Sequence, residues 1–326
     1  MTFSISNFQF PISRRTGKPA TSCRLQIGRW PLAIENGFSL VEVLLVMTLL
    51  SLIVLALTAV FNSTQKAFRA SVTQTDVLEG SRAAVDLIAS DLRGMVPSYG
   101  VSNSLTQSPY PPVNFFVVAN GQTSYEPLPQ NLPGGSVQRT NLLSTFFVLG
   151  RVNTKWTGVG YAVDATNNST LYSLYRFYAE TNVNNSPWLL YNLFADQIAK
   201  SQWTNMSHVI DGVVQLTVRA YDPNGRWING NLSFPIYTNA LNTLYFPPAY
   251  GEAQIFMYSN TVPASVELDL GVMEDAMLAR AESLSVPGKF PWQAPAQWQF
   301  LQDQSGRVHL FRQRVTIPNL DQTAYQ

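Results

Sequence analysis

Hydrophobic and polar positions fall into three regimes along the chain. From Val43 to Gln65 the run VLLVMTLLSLIVLALTAVFNSTQ holds no charged residue, and a helix needs about 20 predominantly apolar residues to cross a bilayer. The stretch predicts a transmembrane or export helix. Beyond it the apolar positions thin to a stripe, in which Leu78, Ser81, Val85, Ile88, Leu92 and Met95 recur at steps of three and four, the period of a helix with one buried face. No proline interrupts Phe38 to Met95, and the only glycines there are Gly80 and Gly94. One helix is therefore expected from Phe38 to about Met95, roughly 85 Å long at 1.5 Å per residue. Its first part, residues 38–61, is the membrane half; its second, 62–95, is amphipathic, lays the stripe on a soluble head and turns Arg82, Asp86 and Arg93 outward. Gly94 and Pro97 end it.

Residues 97–141 break both periods. They hold seven prolines, four glycines and two charges, Glu126 and Arg139, and read as long loops, either connector or binding loop. Strand signals follow. Thr145 to Leu149, Gly158 to Val163 and Leu171 to Tyr178 are β-branched or aromatic runs between Gly and Asn clusters. Val213 to Tyr221 is the clearest strand: Val214, Leu216, Val218 and Ala220 alternate with Gln215, Thr217, Arg219 and Tyr221, one face in and one out, and Asp222-Pro223-Asn224-Gly225 makes a tight turn. Val262 to Leu270 alternates in the same way, Val272 to Leu284 reads as a short helix, and Trp298 to Ile317 as a closing hairpin turned at Asp303 to Gly306. A helix followed by antiparallel strands is an α+β order. The expected fold is a long N-terminal helix packed on an antiparallel β-sheet head, residues 96–326, with long loops.

Composition narrows the function classes. Of 326 residues 46% are apolar and 13% charged, the latter about half the usual share. A nucleic-acid binder or a disordered tail would carry more charge. The single cysteine, Cys23, lies in the N-terminal segment, so the chain beyond it has no thiol or disulfide chemistry and is held by core burial. The net charge of +1 hides an asymmetry: in residues 1–37, Arg14, Arg15, Lys18, Arg24 and Arg29 stand against Glu35, net +4, and the remainder is net −3. Basic flanks stay in the cytoplasm, which predicts a single pass with the N-terminus inside and everything after Phe61 outside the inner membrane.

Directly before the apolar run stands Gly37-Phe38-Ser39-Leu40-Val41-Glu42. An acidic residue costs about 2.5–3.5 kcal/mol at the centre of a membrane helix and less near its end, so Glu42 asks for a partner. G-F-S-L-V-E followed by the apolar run resembles the class III signal of type IV prepilins and type II secretion pseudopilins. The resemblance implies that residues 1–37 are a leader, that a prepilin peptidase cuts between Gly37 and Phe38 and methylates the new N-terminus on Phe38, and that Glu42 pairs with the N-terminal amine of a neighbouring subunit during assembly. An ammonium beside the carboxylate in low dielectric would offset the desolvation of both. Two plainer readings stand beside it. Glu42 snorkels to the headgroups from an ordinary signal anchor; or the run is a secretory signal peptide, for which it is long and Leu55-Ala56-Leu57-Thr58-Ala59 is a poor cleavage site.

The soluble half carries a weaker resemblance. Val209-Ile210-Asp211-Gly212-Val213-Val214, then Val218-Arg219-Ala220-Tyr221-Asp222 and Trp227, then Thr261-Val262-Pro263-Ala264-Ser265-Val266-Glu267-Leu268 is similar to the order of segments in J-type minor pseudopilins and W-type minor pilins. The long leader and the 97–141 insert also resemble cassette-encoded prepilin-like proteins of the Verru_Chthon type. Glu42 speaks against a K-type tip pseudopilin and the chain length against a major subunit. The resemblance implies a minor subunit in the bacterial inner membrane, incorporated near the tip of a type II secretion pseudopilus or type IV pilus. Its partners would be the prepilin peptidase, other minor subunits and the major subunit. The alternative is a membrane-anchored exported binding or adhesin-like module that does not polymerise.

Catalytic chemistry finds no motif. His208 and His309 are the only histidines, neither at metal-ligand spacing from Cys, Asp or Glu, and no catalytic residue or cofactor is expected. Calcium is the one alternative, with Asp164, Asp222 and Asn224 as oxygen donors if they do not simply make turns. Trp156, Trp227, Trp292 and Trp298 either grip a sugar or a partner, or belong to the core.

Overall fold

The computed structural model describes residues 39–99, 112–119, 126–134, 137–165, 171–185, 187–229, 243–249 and 252–325. The chain divides into two compact units, Met1–Asn62 and Ser63–Gln326. Helix α1 runs over Leu40–Arg93. In order after it come β1 (Val113–Val118), β2 (Leu128–Asn131), β3 (Gln138–Asn141), β4 (Thr145–Val152), β5 (Lys155–Asp164), β6 (Ser173–Asn182) and helix α2 (Trp188–Ala199). Then follow β7 (Ser207–Ile210), β8 (Val213–Tyr221), β9 (Thr243–Ala249), β10 (Glu252–Tyr258), β11 (Ser265–Met273), helices α3 (Asp275–Ser283) and α4 (Pro295–Asp303), and β12 (Val308–Thr316). The fold is α+β, with a long N-terminal helix packed on antiparallel sheets.

The expected stripe docks from Ser81 onward, whereas Leu78 is only half-buried and Val77 takes the buried place beside it. Val77, Ser81, Ala84, Val85, Ile88, Ala89, Leu92 and Met95 are buried while Arg82, Asp86 and Arg93 face outward. Ser81 tolerates burial because its hydroxyl donates to the Val77 carbonyl at 2.6 Å. The helix stops at Gly94, and the chain beyond is anchored where Val96 N–H donates to the Leu149 carbonyl and the Asn319 amide to the Met95 carbonyl, both at 3.0 Å.

One directional contact joins this end of α1 to the sheet. Asp91 accepts two hydrogen bonds from Arg176 on β6, Nε at 2.8 Å and Nη2 at 2.9 Å, and a third from the buried Tyr161 hydroxyl on β5. The bidentate geometry is the strong form of such a pair. Burial pushes the Tyr161 phenol pKa up and Asp91 pushes it further; the hydrogen bonds to Asp91 raise that of Arg176. Both donors thus stay protonated.

Seven strands form the larger antiparallel sheet in the order β7-β6-β5-β4-β1-β10-β9, and three form a second, β12-β11-β8. Helix α2 covers the face of the larger sheet opposite α1. It seats Leu190 and Phe194 over Gly158 and Gly160 of β5, which lie on one face because strand side chains alternate. A Cβ at Gly158 would come within 2.8 Å of Leu190, and one at Gly160 would overlap the Phe194 ring. The sheets are pinned together by Arg219 of β8, which donates to both oxygens of Glu252 at the start of β10, at 2.9 and 3.1 Å through Nε.

Four expectations need correction. Residues 97–141, read as loops, contain β1, β2 and β3 among their described residues. Val113, Asn114 and Phe115 are buried in a strand between β4 and β10, and Asn114 belongs there because its amide donates to the Ser259 and Thr261 carbonyls, each at 2.9 Å, and accepts from Ser98 N–H. Pro129 sits in the two-stranded ribbon β2–β3, where one side of each strand has no ladder for a missing N–H to break. The closing hairpin is instead helix α4 followed by β12, which pairs with β11; Gln297 and Leu301, four apart and both buried, show the helical period. The short helix begins at Asp275, since β11 continues to Met273. Finally, α2, β7, β9 and β10 have no counterpart among the expected elements.

Replacing Asp91 with alanine, which leaves Arg176 and Tyr161 without their acceptor, is expected to lower stability by about 3 kcal/mol in urea unfolding, and Asp91→Leu with Arg176→Met together to cost less. Gly160→Ala is expected to cost about 1–3 kcal/mol through the displaced Phe194 ring and to open α2 to limited proteolysis.

Candidate functional site at the start of the helix

The first turn of an α-helix leaves four backbone N–H groups without helical partners. Here Ser39 is the N-cap and Glu42 the third helical residue, and each serves the other. Ser39 N–H donates to Glu42 Oε2 at 2.9 Å, and Glu42 N–H donates to Ser39 Oγ at 3.2 Å as well as to the Ser39 carbonyl at 2.9 Å. This is a capping box. It gives Glu42 a function within its own helix that neither sequence reading of that residue had assigned. The signal was visible as Ser39-x-x-Glu42 ahead of an apolar run. Gly37 and Phe38, the other two expected processing residues, lie outside the described residues.

Behind the cap the helix presents apolar side chains all round. Leu40 and Val41 are 81% and 73% exposed, and the large side chains through Phe61 are at least half exposed. By length and composition α1 can cross a membrane, and none of its most apolar window is buried. Its few hydroxyls are satisfied internally: Thr48, Ser51 and Thr58 donate to the Leu45, Thr48 and Val54 carbonyls, each at 2.8 Å. A segment in hydrocarbon must satisfy its polar groups this way, because no water is there to do it.

The candidate sites of the head are built differently. Asp222 is buried and accepts Arg226 N–H at 2.7 Å, while Gly225 N–H donates to the Asp222 carbonyl; that carboxylate organises the turn with Asn224. Asp164 is also buried, and the asparagines after it lie outside the described residues. Among the described residues no group of three His, Cys, Asp or Glu is placed to hold a metal ion. His208 and Ser173 share Asp211: the serine hydroxyl donates to Asp211 Oδ1 at 2.6 Å, and His208 Nε2 lies 2.8 Å from the same oxygen. His309 contacts Glu274 at 3.3 Å. The four tryptophans belong to the packing. Trp156 is buried beside Phe177 and Leu190, and Trp227, Trp292 and Trp298 pack against the main core.

The chain matches no protein-family profile, no curated protein and no solved structure. The capped start of α1, with the Glu42 carboxylate ahead of the uncharged run to Gln65, is the candidate functional site.

Ser39→Ala and Glu42→Ala each remove one arm of the cap, worth about 1 kcal/mol. Amide exchange in the first turn, measured on the full chain in detergent micelles, should speed up several-fold in either variant. In Glu42→Gln, whose amide oxygen still accepts from Ser39, it should stay near the parent rate.

Proposed function

We propose that the chain is a minor pilin or pseudopilin: exported, cut by a prepilin peptidase between Gly37 and Phe38, methylated on Phe38, and incorporated through its N-terminal helix near the tip of a type II secretion pseudopilus or type IV pilus. One observation carries the reading, the carboxylate of Glu42 in the first turn of a helix whose next stretch, Val43 to Gln65, is apolar, uncharged and unburied, with Gly37 and Phe38 just before it in the sequence. A stripe of the same helix binding an antiparallel β head supports it. In this reading the head lies on the far side of the inner membrane from the basic leader, and Glu42 contributes its negative charge to the ammonium of a neighbour. One Oε2 contact to Ser39 leaves further acceptor positions on the carboxylate for that ion pair.

The capping box also supports a second reading. A plain membrane anchor needs its first turn capped, and Glu42 with Ser39 does that without a neighbour. The protein would then be a tethered binding module that does not polymerise.

Two measurements separate them. Co-expression with a prepilin peptidase should give a mature chain beginning at N-methyl-Phe38 by mass and N-terminal sequencing, with the leader intact in a peptidase-negative strain; an uncut leader in both moves the protein to the second reading. Glu42→Gln keeps the cap and loses the charge. The minor-subunit reading expects the variant to be processed and yet excluded from sheared filaments or pseudopili, while incorporation at the parent level would remove the charge from the mechanism.

A further inference from the structure

Gly80 lies inside α1, where glycine weakens a helix relative to alanine through its backbone entropy. Elsewhere in the head such residues have a reason: close packing at Gly158 and Gly160, a positive φ of 73° at Gly212. Neither applies to Gly80. It is exposed, and outside its own helix an added Cβ would meet only the tip of the Ile210 side chain, Cδ1 at 3.4 Å, an ordinary contact.

The next residue weakens the same turn. Ser81 donates its hydroxyl to the Val77 carbonyl at 2.6 Å, and back-bonding of this kind slightly destabilises a helix and bends it. Glycine–serine pairs are among the few places where helices bend sharply.

The pair stands where α1 passes from exposed to held. Before it, every described side chain of residues 63–76 is exposed. After it, Ala84, Val85 and Ile88 are buried, Arg82 and Asp86 stand beside Leu310 to Gln313 of β12, and Asp91 is clasped by Arg176 and Tyr161. In the turn between, residues 77–80, Val77 is buried and Leu78 half-buried. Charge does not secure this turn: burial, with the like charges of Asp211 and of Asp76 just before it, pushes the Asp275 carboxyl pKa up.

We propose that Gly80-Ser81 is a hinge built into α1, at which residues 63–76 swing against the part of the helix fixed to the head without unwinding. Bending there stretches the bonds from the amides of Ser81 to Ala84 to the carbonyls of Val77 to Gly80. It draws Val77 out of the core and leaves the stripe from Ala84 onward and the Asp91 clasp in place. The inference does not depend on whether the N-terminal helix polymerises.

The test uses the full chain in detergent micelles, with Cys23→Ser, spin-labelled at Gln299→Cys on α4 and at either Ser71→Cys before the hinge or Ser90→Cys after it, all exposed positions. Distances from pulsed dipolar spectroscopy should be broadly distributed for the Ser71 pair and narrow for the Ser90 pair. Gly80→Ala should narrow the Ser71 distribution and slow amide exchange at Ser81 to Ala84 about fivefold. Ser81→Ala, which removes the back-bond, should act in the same direction, and the two label pairs in the parent decide the matter independently if either variant does not fold. Equally narrow distributions for both pairs, or a Gly80→Ala chain with unchanged width and exchange, would overturn the proposal. So would non-helical Cα shifts over residues 66–76, which would assign the breadth to unwinding.

Discussion

The folded head depends on burying one stripe of α1 between Val77 and Met95. Ile88, Leu92 and Met95 are wholly inaccessible, and the cluster they belong to takes in side chains from both larger sheets and from α3 and α4. Burying a large apolar side chain contributes about 1.5–3 kcal/mol, so three of them rival the entire net stability of a typical domain, about 5–15 kcal/mol. A cysteine-free head has no covalent substitute for this core. The helix is thus the common floor of the head, and the β-strands are arranged on it.

Legibility in the sequence followed the strength of the period. The stripe of α1 and the alternation of β8 were both readable, and β8 was found at its observed boundaries because one face is core and the other polar. The 97–141 stretch misled because its prolines lie outside β1 or on the thin β2–β3 ribbon, while Asn114, polar by type, is buried through three hydrogen bonds to distant backbone. Such partners are set by tertiary contact and have no local signature. Helix α4 was hidden for another reason: Trp298 and Phe300 alternate like strand residues, and only Gln297 with Leu301 reveals the helical spacing. For α2, the clue was on a different element, the pair Gly158 and Gly160, whose missing side chains make room for it.

At the helix start the sequence exposed the chemistry and the structure exposed its local use. The placement of Glu42 was conspicuous because a charge at the edge of an apolar run is costly. Ser39 satisfies the helix and engages Glu42 at once, so the carboxylate is held in place within its own helix. Cap and ion pair are compatible uses of one group, since a carboxylate accepts several hydrogen bonds.

Apolar contact alone sets how deeply a helix sits and says little about its rotation, because burial is non-directional. In the stripe of α1, Ala84 and Ala89 offer small, smooth surfaces that would tolerate a turn of the helix about its axis. Asp91 removes that freedom. Its three donors come from two adjacent strands, Arg176 on β6 and Tyr161 on β5, and one residue of rotation, about 100°, would carry the carboxylate away from both. The clasp therefore fixes the azimuth of the docked helix, so that the head is a keyed coupling in which the outward Arg82 and Asp86 always stand beside β12.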